Sequence, residues 1–310
     1  MSKKIAVVGA GISGLSTAYT LLQAGHTVTV FAKAFSPNVT SNKAAAFWFP
    51  YHVRNDIRAV EWCRKSYTFF KEKSNDTATG ISMIAIVKAC KHGLTDETNW
   101  VDYMPPTTLT TLQEHELPNG YDKGYKAFVP LIETQLFLPW LMERLKEQGA
   151  DLVEKEISSL HALQETFDIV VNCAALGART LCNDDTVIPV RGQVALLEPG
   201  YPDYIFIDNQ TPSYIVPRKD ATIVGGTYEE GVYDAVVDEN DLQEILSKAY
   251  NILPALAGRK IVGSWAGLRP YRKEVRLERD GNIIHNYGHG GSGFTLSFGC
   301  AEAVAALIPH

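Results

Sequence analysis

The chain opens on two short apolar runs separated by a glycine-rich segment. Lys3-Lys4-Ile5-Ala6-Val7-Val8 lacks the alternation of a half-buried strand and predicts one buried on both faces. After Gly9-Ala10-Gly11-Ile12-Ser13-Gly14, apolar residues fall at positions 15, 18, 21 and 22, a helical stripe, and Gly25 stands where a helix end belongs. Thr27-Val28-Thr29-Val30-Phe31 predicts a second strand, completing a βαβ unit of ~30 residues. Further on, residues 55–75 read as helix and residues 80–128 as strands broken by polar loops. Leu136, Phe137, Leu138, Leu141, Met142 and Leu145 mark an amphipathic helix over residues 131–149 that ends at Gly149, and residues 151–157 follow as a strand.

Asp168-Ile169-Val170-Val171-Asn172-Cys173 is a second doubly buried run. The small residues Ala174, Ala175 and Gly177 follow it, at the strand end where open α/β sheets bind ligands. Strand-like stretches recur at 193–197, 214–216 and 222–224, then an amphipathic helix near 239–252, and the chain closes on an alanine-rich helical stretch. No repeat or low-complexity linker separates these parts, so two interleaved domains are expected rather than two in series.

Composition narrows the class. The 310 residues are 45% hydrophobic and 21% charged, an ordinary globular balance, and the net charge of −6 gives no general pull towards nucleic acid or an anionic membrane. No apolar run reaches the ~18–20 residues of a membrane span. Cys63, Cys90, Cys173, Cys182 and Cys300 are scattered without metal-ligand or disulfide-framework spacing, so no metal is expected and a reducing compartment is. Leu307-Ile308-Pro309-His310 is not a Ser-Lys-Leu-type address, and a cytoplasmic location is the expectation. Self-association is left open.

The glycines carry the first chemistry. Gly9 allows a tight turn, Gly11 lets backbone approach a pyrophosphate, and Gly14 lets helix pack on strand, with the helix N-terminus offering N–H groups to phosphate. The acidic residue that usually ends the second strand is missing: Phe31-Ala32-Lys33-Ala34 stands there, and Lys33 is compatible with a phosphorylated ribose. Residues 44–51, Ala44-Ala45-Ala46-Phe47-Trp48-Phe49-Pro50-Tyr51, are small then aromatic, which suits a flat ligand or core packing.

Four blocks together resemble the D-amino-acid oxidase family of flavoproteins, nearly end to end. They are residues 9–14, residues 44–51, Gly267-Leu268-Arg269-Pro270 with Val275-Arg276-Leu277-Glu278, and residues 285–295 with Gly299-Cys300-Ala301. Val170-Val171-Asn172-Cys173 and Val190-Arg191-Gly192-Gln193 are similar to family segments as well. The resemblance implies an α/β fold. A Rossmann-like FAD-binding domain (residues 1–52, 135–190 and 262–310) would interleave with a mixed-sheet α+β substrate domain (residues 53–134 and 191–261). It implies non-covalent FAD, a D-amino acid and O2 as small-molecule partners, and oxidation of the α-carbon to an imino acid that hydrolyses to a 2-oxo acid and ammonia, with hydrogen peroxide as the other product.

It also implies roles. Arg269 would clamp the substrate carboxylate through its planar fork, helped by the Tyr214 hydroxyl; the Gly291 carbonyl would accept from the amine and Phe47 would line the pocket. For the cofactor, the resemblance points to Gly9, Ala10, Gly11, Ile12, Ser13 and Gly14 at the phosphates and to Thr40, Ser41, Ala45 and Ala46 near pyrophosphate and flavin; Lys33, from its place at the strand end, is the candidate at the ribose, where it leaves NADP open. Ile157 would lie at the adenine, and Gly290, Gly291, Gly293, Phe294 and Thr295 would lead into the last helix, whose dipole favours negative charge on the reduced ring. His289 is expected to be structural.

Departures bear on substrate. Residues 198–211 are shorter than in the animal enzymes and show no tyrosine-bearing lid, so a more open site is expected. Tyr228, after Gly225-Gly226-Thr227, replaces the arginine of aspartate-preferring relatives, so neutral or aromatic D-amino acids are expected over D-aspartate. Arg218 leaves an acidic preference open. Alternatives are a D-aspartate- or D-glutamate-preferring oxidase, a glycine or sarcosine-type amine oxidase, a quinone-linked flavin dehydrogenase, and a nucleotide-binding protein without turnover.

Overall fold

The structure is a computed structural model and describes residues 1–51, 53, 56–91, 98–106, 109–211 and 213–309. β1 (Lys4–Val8), α1 (Ile12–Gln23) and β2 (Thr27–Ala32) form the opening βαβ unit. Then come α2 (Ala59–Lys73), β3 (Ile81–Lys91), β4 (Thr110–Leu112), β5 (Tyr121–Ile132) and α3 (Thr134–Glu147). β6 (Asp151–Glu154), the short α4 (Leu160–Leu163), β7 (Ile169–Asn172) and the short α5 (Ala178–Leu181) lead into β8 (Ile188–Leu197), β9 (Ile205–Asp208), β10 (Tyr214–Pro217), β11 (Thr222–Gly225) and β12 (Glu229–Glu230). The chain ends with α6 (Glu239–Ile252), β13 (Ile261–Asp280), β14 (Ile283–His289) and α7 (Gly293–Ala306).

Among the described residues the strands join in one sheet, ordered β4-β5-β3-β9-β10-β11-β8-β13-β14-β7-β1-β2-β6, with β12 beside β8. At one end β14, β7, β1, β2 and β6 are parallel, and the apolar runs at 5–8 and 169–171 are buried as a doubly covered parallel sheet requires. The other end is antiparallel except where β3 runs parallel to β9. β6 is shorter than the strand expected over residues 151–157, although the Lys155 N–H still bonds to the Ala32 carbonyl.

β13 joins the two ends. It pairs with β8 from Ile261 to Tyr271, then with β14 from Tyr271 and from Arg276 onward, so Arg269 sits just before the strand changes partners. One core lies between the parallel strands and α1, α2, α3 and α7; α2 packs on α7 closely enough that a Cβ on Gly299 would meet the Trp62 carbonyl oxygen at 2.2 Å. A second core lies under α6, whose Leu242, Ile245, Leu246, Ala249 and Ile252 follow helical spacing and meet Ala195, Leu197, Phe206 and Val224. Asp238 starts α6 by accepting from the N–H groups of Asn240 and Asp241. Among the described residues no helix is long and apolar enough to cross a membrane.

Candidate active site

A cavity of 1770 Å³ runs from the C-terminal ends of β1, β2 and β7 to the face of β8, β9, β10 and β13. That exceeds the ~300–1,000 Å³ of ordinary small-molecule pockets and suits a dinucleotide with a second molecule beside it. Two helix N-termini open into it. α1 begins at Gly11 with no side-chain cap of its own, and the Ile12 N–H donates instead to the Ser41 hydroxyl at 2.9 Å. α7 follows the Gly290–Ser292 turn, also without a side-chain cap, so its first N–H groups face the cavity beside Gly291, Gly293, Phe294 and Thr295. Unpaired N–H groups and aligned peptide dipoles make both ends favourable to negative charge.

Gly9 is at φ +116, and a Cβ there would sit 2.3 Å from the Cys173 carbonyl oxygen; only glycine permits this turn. Gly9, Ala10, Gly11, Ile12, Ser13, Lys33, Thr40, Ser41, Ala45, Ala46, Ile157, Gly290, Gly291, Gly293, Phe294 and Thr295 all line the cavity. Gly14 does not: a Cβ there would lie 1.9 Å from the Gly9 oxygen, so it acts by letting α1 close on the turn. Lys33 is exposed at the rim, where Lys155 and Glu156 also reach the cavity. Glu156 is a rim carboxylate that the sequence of β2 alone does not reveal. His289 is buried, bonds Asn286 at 3.1 Å and is pulled down to about 4 by burial, so it is neutral and structural.

At the other end Arg269, Tyr214, Phe47 and Gly291 meet. The Arg269 Nη1 donates to the carbonyls of Thr227 at 3.2 Å and Arg191 at 3.4 Å, and among the described residues it has no carboxylate partner. The neighbouring arginines differ: Arg272 binds Asp184, and Arg276 binds Glu278 and the Tyr287 hydroxyl. Two glycines make room for the pair. A Cβ on Gly192 would lie 2.2 Å from Arg269 Nη1 and Nη2, and one on Gly225 would lie 2.2 Å from the Tyr214 ring. Burial pushes the Tyr214 phenol up, opposed by the Arg269 charge, so Tyr214 is a protonated donor. Phe47 lies 6.2 Å from Tyr214 between ring centroids, and Tyr51 packs against Gly291 close to Arg269.

The clamp is held from behind. Arg191, 3% exposed, reaches Glu229 and Asp241, while Gln193 is fully buried, accepts from the Asp238 N–H at 2.8 Å and has its own N–H on the Thr227 hydroxyl at 3.0 Å. Arg218 is not part of the site. It binds Asp220, Gln135 and the Ala44 carbonyl, anchoring the end of β10 to the start of α3, and does not reach the cavity. Gly192 and Thr227 escape sequence reasoning because their role depends on strand register, although the Val190-Arg191-Gly192-Gln193 block is a signal.

The family model for FAD dependent oxidoreductases matches residues 4–307. The chain belongs to the FAD-dependent oxidoreductase family. It is 37% identical to D-amino-acid oxidase of Rubrobacter xylanophilus over 310 aligned residues, covering 97% of this chain and 94% of that one. To human D-aspartate oxidase it is 33% identical, covering 98% and 94%. The fold is similar to that of glycine oxidase from Geobacillus kaustophilus, at a TM-score of 0.80 and 18% identity over 99% of this chain and 94% of that one. FAD is the cofactor, and the residues fit it: Gly9 and Gly14 form a turn that side chains would fill, and two helix N-termini converge on a cavity of dinucleotide size.

Proposed function

We propose that this FAD-dependent oxidoreductase oxidises free D-amino acids to 2-imino acids, which hydrolyse to 2-oxo acids and ammonia, with O2 reduced to hydrogen peroxide. The observation that carries the reading is Arg269: a guanidinium held by two carbonyls, without a carboxylate partner among the described residues, facing a cavity beside a protonated tyrosine. That arrangement suits a carboxylate ligand, and the curated relatives named D-amino-acid oxidase agree with it. When bound, FAD would supply the hydride acceptor for the α-carbon hydrogen and the route by which its electrons reach O2.

The chain supplies orientation. Arg269 and Tyr214 hold the carboxylate through charge-assisted hydrogen bonds, and the Gly291 carbonyl accepts from the amine. With two substituents of the α-carbon fixed, its hydrogen can face the cofactor in only one enantiomer. Phe47 and Phe49 exclude water from that side. Thr40, Ser41, Ala45 and Ala46 would hold pyrophosphate and flavin, with Ile157 at the adenine and Lys33 at the ribose. No acid–base side chain is needed at the α-carbon.

Adding D-alanine and then L-alanine without air to the flavin-loaded protein tests this. Bleaching by the D-isomer alone, with recovery and peroxide in air, is expected; bleaching by N-methylglycine but not D-alanine would replace it with an amine oxidase reading. Tyr228 in the place of an arginine still argues against D-aspartate, and the remaining wall of the pocket decides what lies beyond.

A further inference from the structure

The side-chain end of the pocket holds a buried cation that the mechanism above does not use. Across the sheet, Lys88 of β3 is in register with Ile207 of β9, Ile207 with Tyr214 of β10, Tyr214 with Gly225 of β11, and Gly225 with Val194 of β8. Residues in one lateral row share a face. This row faces the cavity: Lys88, Ile207, Tyr214 and Val194 all line it. Lys91, on the opposite face, pairs with Asp208 instead. Lys88 is only 5% exposed, where lysine is rarely found.

We propose that Lys88 reads the far end of the substrate side chain, and that the preferred substrates are D-amino acids ending in a carboxylate two or more methylenes from the α-carbon, D-glutamate first. This rests on the D-amino-acid oxidase reading. The row sets the distances. Lys88 is two strands from Tyr214, about 10 Å between backbones, and the Tyr214 ring leans the other way, over Gly225. The carboxylate clamp and the ammonium therefore stand apart, with Ile207 on the wall between them. A substrate crossing that gap has an apolar stem and an anionic end. Aspartate is one carbon shorter and meets no arginine at Tyr228. Lys88 has partners within the protein, and a substrate carboxylate would add to them a charge-assisted hydrogen bond that an uncharged end cannot match.

This proposal departs from the expectation of neutral or aromatic substrates, which rests on Tyr228, and the two are separated by experiment. The test compares kcat/KM for D-glutamate with its neutral isostere D-glutamine in the FAD-loaded wild type, Lys88→Met and Lys88→Arg. The D-glutamate to D-glutamine ratio is expected to be about tenfold or more in the wild type, the size of one charged hydrogen bond. It should fall about tenfold in Lys88→Met and stay high in Lys88→Arg. Inhibition adds a readout without turnover: glutarate should bind more tightly than pentanoate, and only while position 88 is charged. A wild-type ratio at or below one, or a ratio that Lys88→Met does not lower, overturns the proposal. If Lys88→Met fails to hold FAD, the wild-type ratio and the glutarate–pentanoate comparison still decide. Oxidation of no D-amino acid at all would sink the underlying function, whereas oxidation of D-glutamine but not D-glutamate sinks this inference alone.

Discussion

Replacing Gly192 with alanine tests whether Arg269 must stand where it does. The added Cβ would lie 2.2 Å from both terminal guanidinium nitrogens, and ordinary contact begins near 3.4 Å. The guanidinium must therefore move by about 1.2 Å, and a displacement of ~1 Å in a positioning group costs ~10²-fold in rate. It would leave the Thr227 and Arg191 carbonyls that now aim it. The backbone has little reason to fail, because the displaced atoms end a flexible side chain and alanine suits a strand better than glycine does. Gly192→Ala should hold FAD and unfold within about 1 kcal/mol of the wild type, while kcat/KM falls ~10²-fold with KM raised. Gly263→Ala, on the neighbouring strand four residues from Gly267, the register partner of Gly192, meets only Leu196 at 3.4 Å and serves as the control. Oxygen uptake, flavin absorbance and a thermal melt on all three proteins complete the assay. If Gly192→Ala keeps kcat/KM within threefold, the Arg269 guanidinium is not where substrate binds.

Three further outcomes are expected. Arg269→Ala should retain FAD and lose nearly all turnover, whereas Tyr214→Phe, which removes one neutral donor, should lose about tenfold, mainly in KM; an unchanged Arg269→Ala removes that residue from the site. Of the stretch 198–211, residues 207–211 line the cavity but residues 198–206 do not: Arg259 binds the carbonyls of Glu198 and Pro199, and Tyr201 and Tyr204 pack beside the core under α6. With residues 198–206 turned away from the cavity, flavin reduction should limit turnover, and product release slower than reduction in rapid mixing would count against an open site. Finally, burial, joined at His285 by the Arg276 charge, pulls His285 and His289 from 6.5 to about 4. Both stay neutral when folded but take up protons near 6.5 when unfolded, so their contribution is complete above that pH and is lost as pH falls towards 4. Unfolding free energy should drop by about 3–4 kcal/mol between pH 7 and pH 5, and a flat profile in denaturant titrations would refute the burial of two neutral histidines.

Local physics makes much of this protein legible in its residues alone. Doubly buried strands announce themselves as unbroken apolar runs, and the turn at Gly9 needs a residue free of Cβ. α3 and α6 follow from helical spacing and α7 from its alanine-rich composition, because each depends on interactions within a few residues. What stays hidden depends on partners far apart in sequence. β13 does not read as one strand, because no local pattern says that its first half pairs with β8 and its second with β14. Arg218, four residues after Tyr214, looks like a neighbour of the site, but four residues along a strand is about 13 Å, and the residue belongs with α3. Lys88, over a hundred residues from Tyr214, is on the same wall because β9 lies between β3 and β10. Sequence alone specifies most of the strands and helices and a dinucleotide at the first turn. Which side chains share the cavity is decided by the tertiary fold, since register sets which face of each strand meets which neighbour.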